Sequence, residues 1–259
     1  MIEPIIKVAA TGALGRMGTL VIQELSRQED MKLVAGLDII GEGKPLIEGV
    51  SVMHSSKFRD VLSSIKPDVL IDFTEPNAAL QNVLDAADIG IDLVVGTTGF
   101  KREQIAQMRE AIEGNVAAVI SPNFSLGVNV FWKLIALAAQ TLKGYDIEVI
   151  EAHHNLKKDA PSGTALAALE ILKKTLGDVE VVSSRQGIHL RGKEIGVHAI
   201  RAGDIVGDHT VLFAGPGERL EIKHQAHSRM AFASGAIKAA RWVTSAKPGI
   251  YSMSDVLGS

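Results

Sequence analysis

The feature that most restricts the fold is a run of glycines placed at a change of period. Residues 5–10 form a short apolar run, the loop Gly12-Ala13-Leu14-Gly15-Arg16-Met17-Gly18 follows, and residues 20–25 then carry apolar side chains at helical spacing. The pattern predicts strand, tight turn, helix. Glycine lets backbone amides approach an anion with no Cβ in the way. A helix start adds N–H groups and a partial positive charge. The spacing is GxxGxxG rather than GxGxxG, so the loop alone is also compatible with a plain turn. Asp38 adds the second half of the signal: it stands 20 positions after Gly18, at the end of the next apolar run. A carboxylate there can accept hydrogen bonds from the ribose hydroxyls of a dinucleotide. The next residues are Ile39 and Ile40, not a cation, and a carboxylate repels a 2′-phosphate. NADH is therefore favoured, with NADPH the alternative if Arg16 or Lys44 pairs with that phosphate.

The strand and helix periods continue in alternation. Strands are expected over residues 32–37, 69–73, 92–95 and 117–120, and helices over 60–65, 77–87 and 101–112. Such alternation implies a parallel, doubly wound sheet. The texture changes near Ser121-Pro122-Asn123. A long apolar helix is expected over residues 128–142, strands over 146–152 and 179–183, and a helix over 162–176. Strands over 194–199, 210–213 and 219–224 then follow with no helix between them, which suggests a mixed sheet. Residues 229–246 return to helical spacing. The expected class is α/β, an N-terminal Rossmann-type parallel sheet with a second, α+β domain on a mixed open sheet.

Composition excludes several classes. The chain has 259 residues, 46% hydrophobic and 22% charged, as in an ordinary globular enzyme. A net charge of −3 gives no broad field for nucleic acid or a membrane surface, so neither is an expected partner. With no cysteine there is no disulfide, thiolate nucleophile or cysteine metal site, which suits a cytoplasmic protein. Neither a signal-peptide pattern nor a run of about 20 apolar residues is read.

Two further loops, Gly96-Thr97-Thr98-Gly99 and Ser121-Pro122-Asn123-Phe124, follow the fourth and fifth expected strands. Ligands of open α/β sheets sit beyond the carboxyl ends of strands, so both loops are candidates to touch the nicotinamide half of the cofactor. Each read alone is equally well a plain turn.

The segment from Glu151 to Thr164, EAHHNLKKDAPSGT, leaves a strand, crosses a polar loop and enters a helix. Ser162 suits the N-cap position. The amides of Gly163, Thr164 and Ala165 would then form an anion site beside His153, His154, Lys157 and Lys158. The combination describes a pocket for an anionic substrate with a proton donor at hand. A metal reading of the His-His pair lacks a third ligand, so no metal is expected. Ser162 lacks the nucleophile-elbow pattern of a serine hydrolase. The two lysines are, on spacing alone, equally well solvated surface charges.

At these residues the chain resembles the 4-hydroxy-tetrahydrodipicolinate reductase (dihydrodipicolinate reductase) family. The matching segments are VAATGALGRMG, IDFTEP, VVGTTGF, SPNFSLGVNV, EAHHNLKKDAPSGTA, RAGDIVGDHTV and SRMAFASGAIKAARW, spread over nearly the whole chain. The resemblance implies NAD(P)H-dependent reduction of a cyclic imine dicarboxylate to tetrahydrodipicolinate, in lysine and diaminopimelate biosynthesis. It implies His153 and Lys157 as the acid/base pair, His154 as a substrate contact, and Gly163 with Thr164 as holders of a carboxylate. It also implies cofactor contacts at Gly12, Ala13, Leu14, Gly15, Arg16, Met17, Asp38, Gly96, Thr97, Thr98, Ser121, Pro122, Asn123 and Phe124. Family members are usually homotetramers built through the open sheet, and their last helix returns to the nucleotide domain. That implies a dinucleotide domain of residues 1–124 plus 229–259 and a substrate-binding, oligomerising domain of 125–228, with hinges near 123–127 and 228–230. Leu14 and Ile39 depart from the family pattern, where a small and a basic residue are usual. A different NAD(P)-linked dehydrogenase would share the glycine loop and Asp38 but not the DAPSGTA segment. A non-catalytic NADH sensor would have no use for His153 and Lys157.

Overall fold

The computed structural model describes residues 4–183, 185–188 and 190–258. By internal contacts the chain falls into two compact units, Met1–Ser125 with Met230–Ser259, and Leu126–Arg229.

In the first unit strands and helices alternate: β1 (Ile6–Thr11), α1 (Gly18–Leu25), β2 (Met31–Asp38), β3 (Pro45–Ile47), β4 (Val50–His54), α2 (Phe58–Ile65), β5 (Val69–Asp72), α3 (Pro76–Asp88), β6 (Asp92–Val95), α4 (Arg102–Ile112) and β7 (Ala117–Ile120). The central strands are apolar along their length because both faces are covered. All four residues of β5 are buried, and Leu70, Leu93, Val95 and Ala118 share one core with Leu62, Val83, Met108 and Ile112 of the helices. β1, β2, β5, β6 and β7 pair in parallel, which makes this half a Rossmann-type sheet.

The second unit contains α5 (Leu126–Thr141), β8 (Asp146–His153), α6 (Gly163–Leu176), β9 (Glu180–Ser183), β10 (Glu194–Arg201), β11 (Gly207–Gly215) and β12 (Glu218–Ala226). Its five strands lie in the order β12-β11-β8-β10-β9. β8, β9 and β10 run parallel, while β11 is antiparallel to β8 and to β12, so the sheet is mixed. Helices α5 and α6 supply Phe131, Ile135, Ala165, Leu169 and Leu172 to a core with Ile147, Val149, Val197, Val211 and Phe213 of the strands.

Strand β8 positions the chemistry. Its side chains alternate with period two, and Ile147, Val149, Glu151 and His153 all fall on the buried face. The inner face of this one strand is apolar at its start and ionic at its end. Glu148, Ile150 and Ala152 lie on the opposite, half-exposed face, with Leu212, Thr210 and Asp208 of β11 beside them.

The chain then adds α7 (Met230–Val243), β13 (Gly249–Tyr251) and α8 (Met253–Val256) to the first unit. Helix α7 packs on α1 and the central strands, and β13 pairs with β7 at the sheet edge. A Cβ at Gly235 of α7 would stand 1.8 Å from the carbonyl oxygen of Phe124, so only glycine fits there. The completed order is β13-β7-β6-β5-β1-β2-β4-β3. The sequence periods miss both ends of this sheet. β3 and β13 have three residues each, and β4, with five, is only partly buried and lacks the continuous apolar run that marks the equally short central strands.

Candidate active site

Two groups of residues stand out, one in each unit. In the first unit the glycine loop joins β1 to α1. Gly12 has φ +66, and a Cβ there would lie 3.0 Å from the carbonyl oxygen of Phe73. A Cβ at Gly18 would lie 2.0 Å from the carbonyl oxygen of Gly12, so the loop closes on itself only because both positions are glycine. The Leu14 amide donates to Asp38 Oδ2 at 2.9 Å, and the Ile39 amide donates to Oδ1 at 2.8 Å. The acid at the end of β2 is thus anchored directly to the glycine loop. Ile39 and Ile40 are 72% and 63% exposed, so the side chains following the acid are open to solvent and uncharged.

The other expected cofactor residues follow β6 and β7, at the same carboxyl edge of the sheet. A residue that sequence reasoning did not single out organises them. Asp72, fully buried at the end of β5, accepts from Thr11 Oγ1 at 2.7 Å, Thr97 Oγ1 at 2.9 Å and Asn82 Nδ2 at 2.8 Å. It also accepts from the amide and hydroxyl of Thr74, at 3.1 and 2.9 Å. The Thr97 hydroxyl is committed to that carboxylate, while Thr98 is exposed. Gly96 leaves room for Phe73, whose ring a Cβ would meet at 2.0 Å. The Ser121 hydroxyl donates to the Asn123 carbonyl at 2.8 Å, closing the loop after β7. Phe124 is buried with its ring edge-on to Phe73, 5.8 Å between centroids, so its side chain belongs to the core.

In the second unit the end of β8, the loop 154–162 and the start of α6 converge. Glu151 is completely buried. Its Oε2 lies 2.6 Å from His153 Nδ1 and 2.9 Å from Arg201 Nη1. Its Oε1 accepts from Arg201 Nη2 at 2.7 Å and from the Ser162 amide at 3.1 Å. Burial drives the Glu151 carboxyl upward, but the hydrogen bonds from Arg201 and His153 outweigh it and hold the group below its ordinary range. A carboxylate held ionised can only accept, so Nδ1 of His153 carries the proton of that bond and Nε2 is its second, titrating nitrogen. Burial is also the largest influence on His153 and lowers it. Glu151 pulls it up, and Lys157 and Arg201 push it down, leaving the imidazole below its usual value.

Ser162 caps α6 as expected, its Oγ accepting from the Ala165 amide at 3.2 Å. That bond removes Ala165 from the three amides expected to face an anion. On its other side the Ser162 hydroxyl meets His209 Nε2 at 2.9 Å. His209 is buried, with its ring centroid 5.1 Å from that of His153. Desolvation, assisted by the neighbouring His153, lowers its pKa to about 4. A Cβ at Gly207 would come 3.0 Å from His153 Nε2, so the glycine opening β11 makes room for the imidazole.

Lys157 lies in the loop with its ammonium 2.9 Å from Asp159 Oδ1, and this partner lowers the Asp159 carboxyl. Lys158 is exposed. His154 is half-buried, with Nε2 3.5 Å from Arg229 Nη2. Gly163 is exposed, and a Cβ there would meet nothing within 4 Å, so the approach to the helix start is open. The residues that sequence reasoning missed here are Glu151 as an anchor, Arg201, His209 and Arg229. The available signal was parity: Glu151 and His153 continue the buried series begun by Ile147 and Val149.

The descriptions "Dihydrodipicolinate reductase, N-terminus" and "Dihydrodipicolinate reductase, C-terminus" match residues 6–124 and 127–257. The chain is 55% identical to a 4-hydroxy-tetrahydrodipicolinate reductase of Methanosarcina barkeri, covering 98% of this chain and 99% of that relative. It is 50% identical to one of Methanocaldococcus jannaschii, covering 98% and 97%. Among solved structures it is similar to a dipicolinate-bound dihydrodipicolinate reductase from Paenisporosarcina sp. TG-14, with TM-score 0.81, 28% identity, and 96% and 97% of the two chains covered. An amine dehydrogenase of Mycobacterium smegmatis, 16% identical with TM-score 0.61, shares the fold alone. With both family descriptions matched over nearly the whole length and relatives at 50–55% identity, the chain belongs to the dihydrodipicolinate reductase family.

Proposed function

We propose that this chain reduces the cyclic, unsaturated imine dicarboxylate derived from 4-hydroxy-tetrahydrodipicolinate to tetrahydrodipicolinate, in lysine and diaminopimelate biosynthesis. The observation that carries the reading is the shared anchor of the second unit. One buried carboxylate, Glu151, holds both the imidazole of His153 and the first turn of α6, so a proton donor and an anion site are built as one piece. A dicarboxylate substrate and an acid-assisted reduction need that pairing.

The reductant is a pyridine nucleotide, and the first unit has the cradle for it. Gly12, Ala13, Leu14, Gly15, Arg16 and Met17 would surround the diphosphate, where a Cβ at Gly12 or Gly18 would collide with backbone. Asp38 would receive the ribose hydroxyls. Gly96, Thr97, Thr98, Ser121, Pro122, Asn123 and Phe124 would line the nicotinamide half, Phe124 through its backbone. We favour NADH over NADPH, because a 2′-phosphate would meet the Asp38 carboxylate and two exposed, uncharged isoleucines.

When bound, the nicotinamide supplies a hydride to the conjugated ring. The chain's own residues do the rest. The start of α6 at Gly163 and Thr164 orients one carboxylate through its dipole. His154, with Arg229 beside it, contacts the substrate. The Lys157 ammonium exchanges Asp159 for the substrate's charge and stabilises the electron-rich centre that reduction leaves. Lys157 and His153 form the acid/base pair that quenches it with a proton.

The same reading gives residues 1–124 and 229–259 to the cofactor and 125–228 to substrate and assembly. It makes the protein a cytoplasmic homotetramer joined through the half-exposed face of the second sheet, where Ile150, Ile200 and Leu212 lie. Among the described residues no helix is long and apolar enough to cross a membrane. A coupled assay tests the function: the product of the preceding synthase is added with NADH, and nicotinamide absorbance is followed. Turnover is expected, and a flat trace with either nucleotide would refute the assignment. Light scattering tests the tetramer.

A further inference from the structure

We propose that Glu151 is a positioning residue for the reduction, setting the tautomer and charge of His153 and keying the imidazole to the start of α6, with Arg201 as its counter-charge. The inference rests on the reading of His153 as a proton donor and deepens it: there Glu151 is an anchor, here it controls the protonation of the ring, and Arg201 is added. The geometry is specific. Glu151 is buried, and each carboxylate oxygen takes one bond from Arg201 and one from the site: His153 Nδ1 at 2.6 Å on Oε2, the Ser162 amide at 3.1 Å on Oε1. Arg201 Nη2 also donates to the Asp159 carbonyl at 2.6 Å, so the loop that carries Lys157 is tied to the same ion pair. A neutral His153 is forced into the Nδ1–H form, which leaves Nε2 as the site that gains and gives the proton.

Four elements present charged or titratable groups to His153: Glu151 on β8, Arg201 on β10, Lys157 on the loop, and His209 on β11; Asp208 of β11 and His224 of β12 act in turn on His209. Among the described residues, only Glu151 is an anion hydrogen-bonded to the ring. Removing one or the other member of the Arg201–Glu151 pair must therefore move His153 in opposite directions. Loss of Glu151 leaves the imidazolium facing two cations and lowers its pKa. Loss of Arg201 leaves an unopposed carboxylate and raises it. A role in packing alone would make both substitutions act alike.

The experiment uses the full-length protein carrying Glu151→Gln or Arg201→Met. Titration of 15N-labelled imidazole by NMR is run beside the pH profile of kcat. The expected result is a His153 shift of about one pH unit down in Glu151→Gln and up in Arg201→Met. The limb on which kcat falls with rising pH moves the same way, with a drop in kcat of about ten- to a hundredfold in Glu151→Gln. Glu151→Asp, which keeps the charge, should return the shift toward the parent; if Glu151→Gln does not fold, the upward shift in Arg201→Met carries the test, and its absence overturns the proposal. Shifts of one sign in both variants, or no shift, overturn the proposal. Opposite NMR shifts with an unmoved kcat profile support Glu151's control of the imidazole and instead refute His153 as the proton donor.

Discussion

The two residue groups are built from different materials. The first is largely backbone, glycines without side chains and a helix start, beside one buried carboxylate, Asp72, that accepts from hydroxyls, an amide N–H and an amide side chain. The second is built of titratable side chains: Glu151 with Arg201 and His153, and Lys157 with Asp159. Backbone donors cannot titrate, so under the proposed function the first arrangement would bind its ligand over a wide pH range. The second would move protons and, for that reason, be tied to a narrower one. A dinucleotide has only to be held; a substrate has also to be protonated.

The largest test of this contrast is Lys157→Ala. It should lower kcat by roughly 10²–10⁴, the usual contribution of a positioned acid, and leave the Kd for NADH unchanged. The exposed neighbour provides the control, with Lys158→Ala nearly silent in steady-state kinetics. Equal losses in the two variants would mean that the acid has been misplaced.

Asp38→Ala reverses the pattern. Weaker NADH binding by about 1–3 kcal/mol is expected, since ribose hydroxyls lose a charged acceptor. Isothermal titration reads it, and in the parent protein tighter binding of NADPH than of NADH would contradict the cofactor preference.

Gly163→Val is next in size. The protein offers open space at that Cβ, so the fold should tolerate the branched side chain while substrate approach does not. The KM for the dicarboxylate is expected to rise about tenfold, a loss of about 1.4 kcal/mol in binding. An unchanged KM would remove the α6 start from the substrate site.

The last effect is on stability and leaves activity at neutral pH untouched. His209 has a folded pKa of about 4 against an ordinary value of 6.5, so the unfolded chain takes up the proton first. The contribution of neutral, buried His209 is complete above pH 6.5 and is lost as pH falls toward about 4. Within that window the slope is about 1 kcal/mol per pH unit. Urea unfolding of His209→Gln at several pH values should show a flatter acid limb than the parent, and an identical slope would mean that His209 is not the group responsible.

How far the chain could be read from sequence depended on range along the chain rather than on the unit. Glycine spacing, Asp38 and the loops after β6 and β7 are local signals, because a strand, a turn and a helix start are written in consecutive residues. The cap at Ser162 was legible for the same reason. Asp72 and the Glu151–Arg201 pair were not. Each joins positions far apart in the chain, 61 residues between Thr11 and Asp72 and 50 between Glu151 and Arg201. Nothing in either segment names the other. The short strands β3, β4 and β13 escaped for a further reason, since edge pairing is decided by the neighbour a segment finds.

Parity along β8 has a consequence for how this chain tolerates change through time. Odd-numbered positions from Ile147 to His153 face the core and the acid, and even-numbered ones from Glu148 to Ala152 face the opposite side. Insertion or deletion of one residue exchanges the two sets, turning the imidazole outward and Ile150 inward in a single step. Length variation in this strand should therefore be forbidden even where substitution is not. Adjacent letters of the same eight-residue word should diverge at two rates, one set by chemistry and the other by whatever the outer face meets.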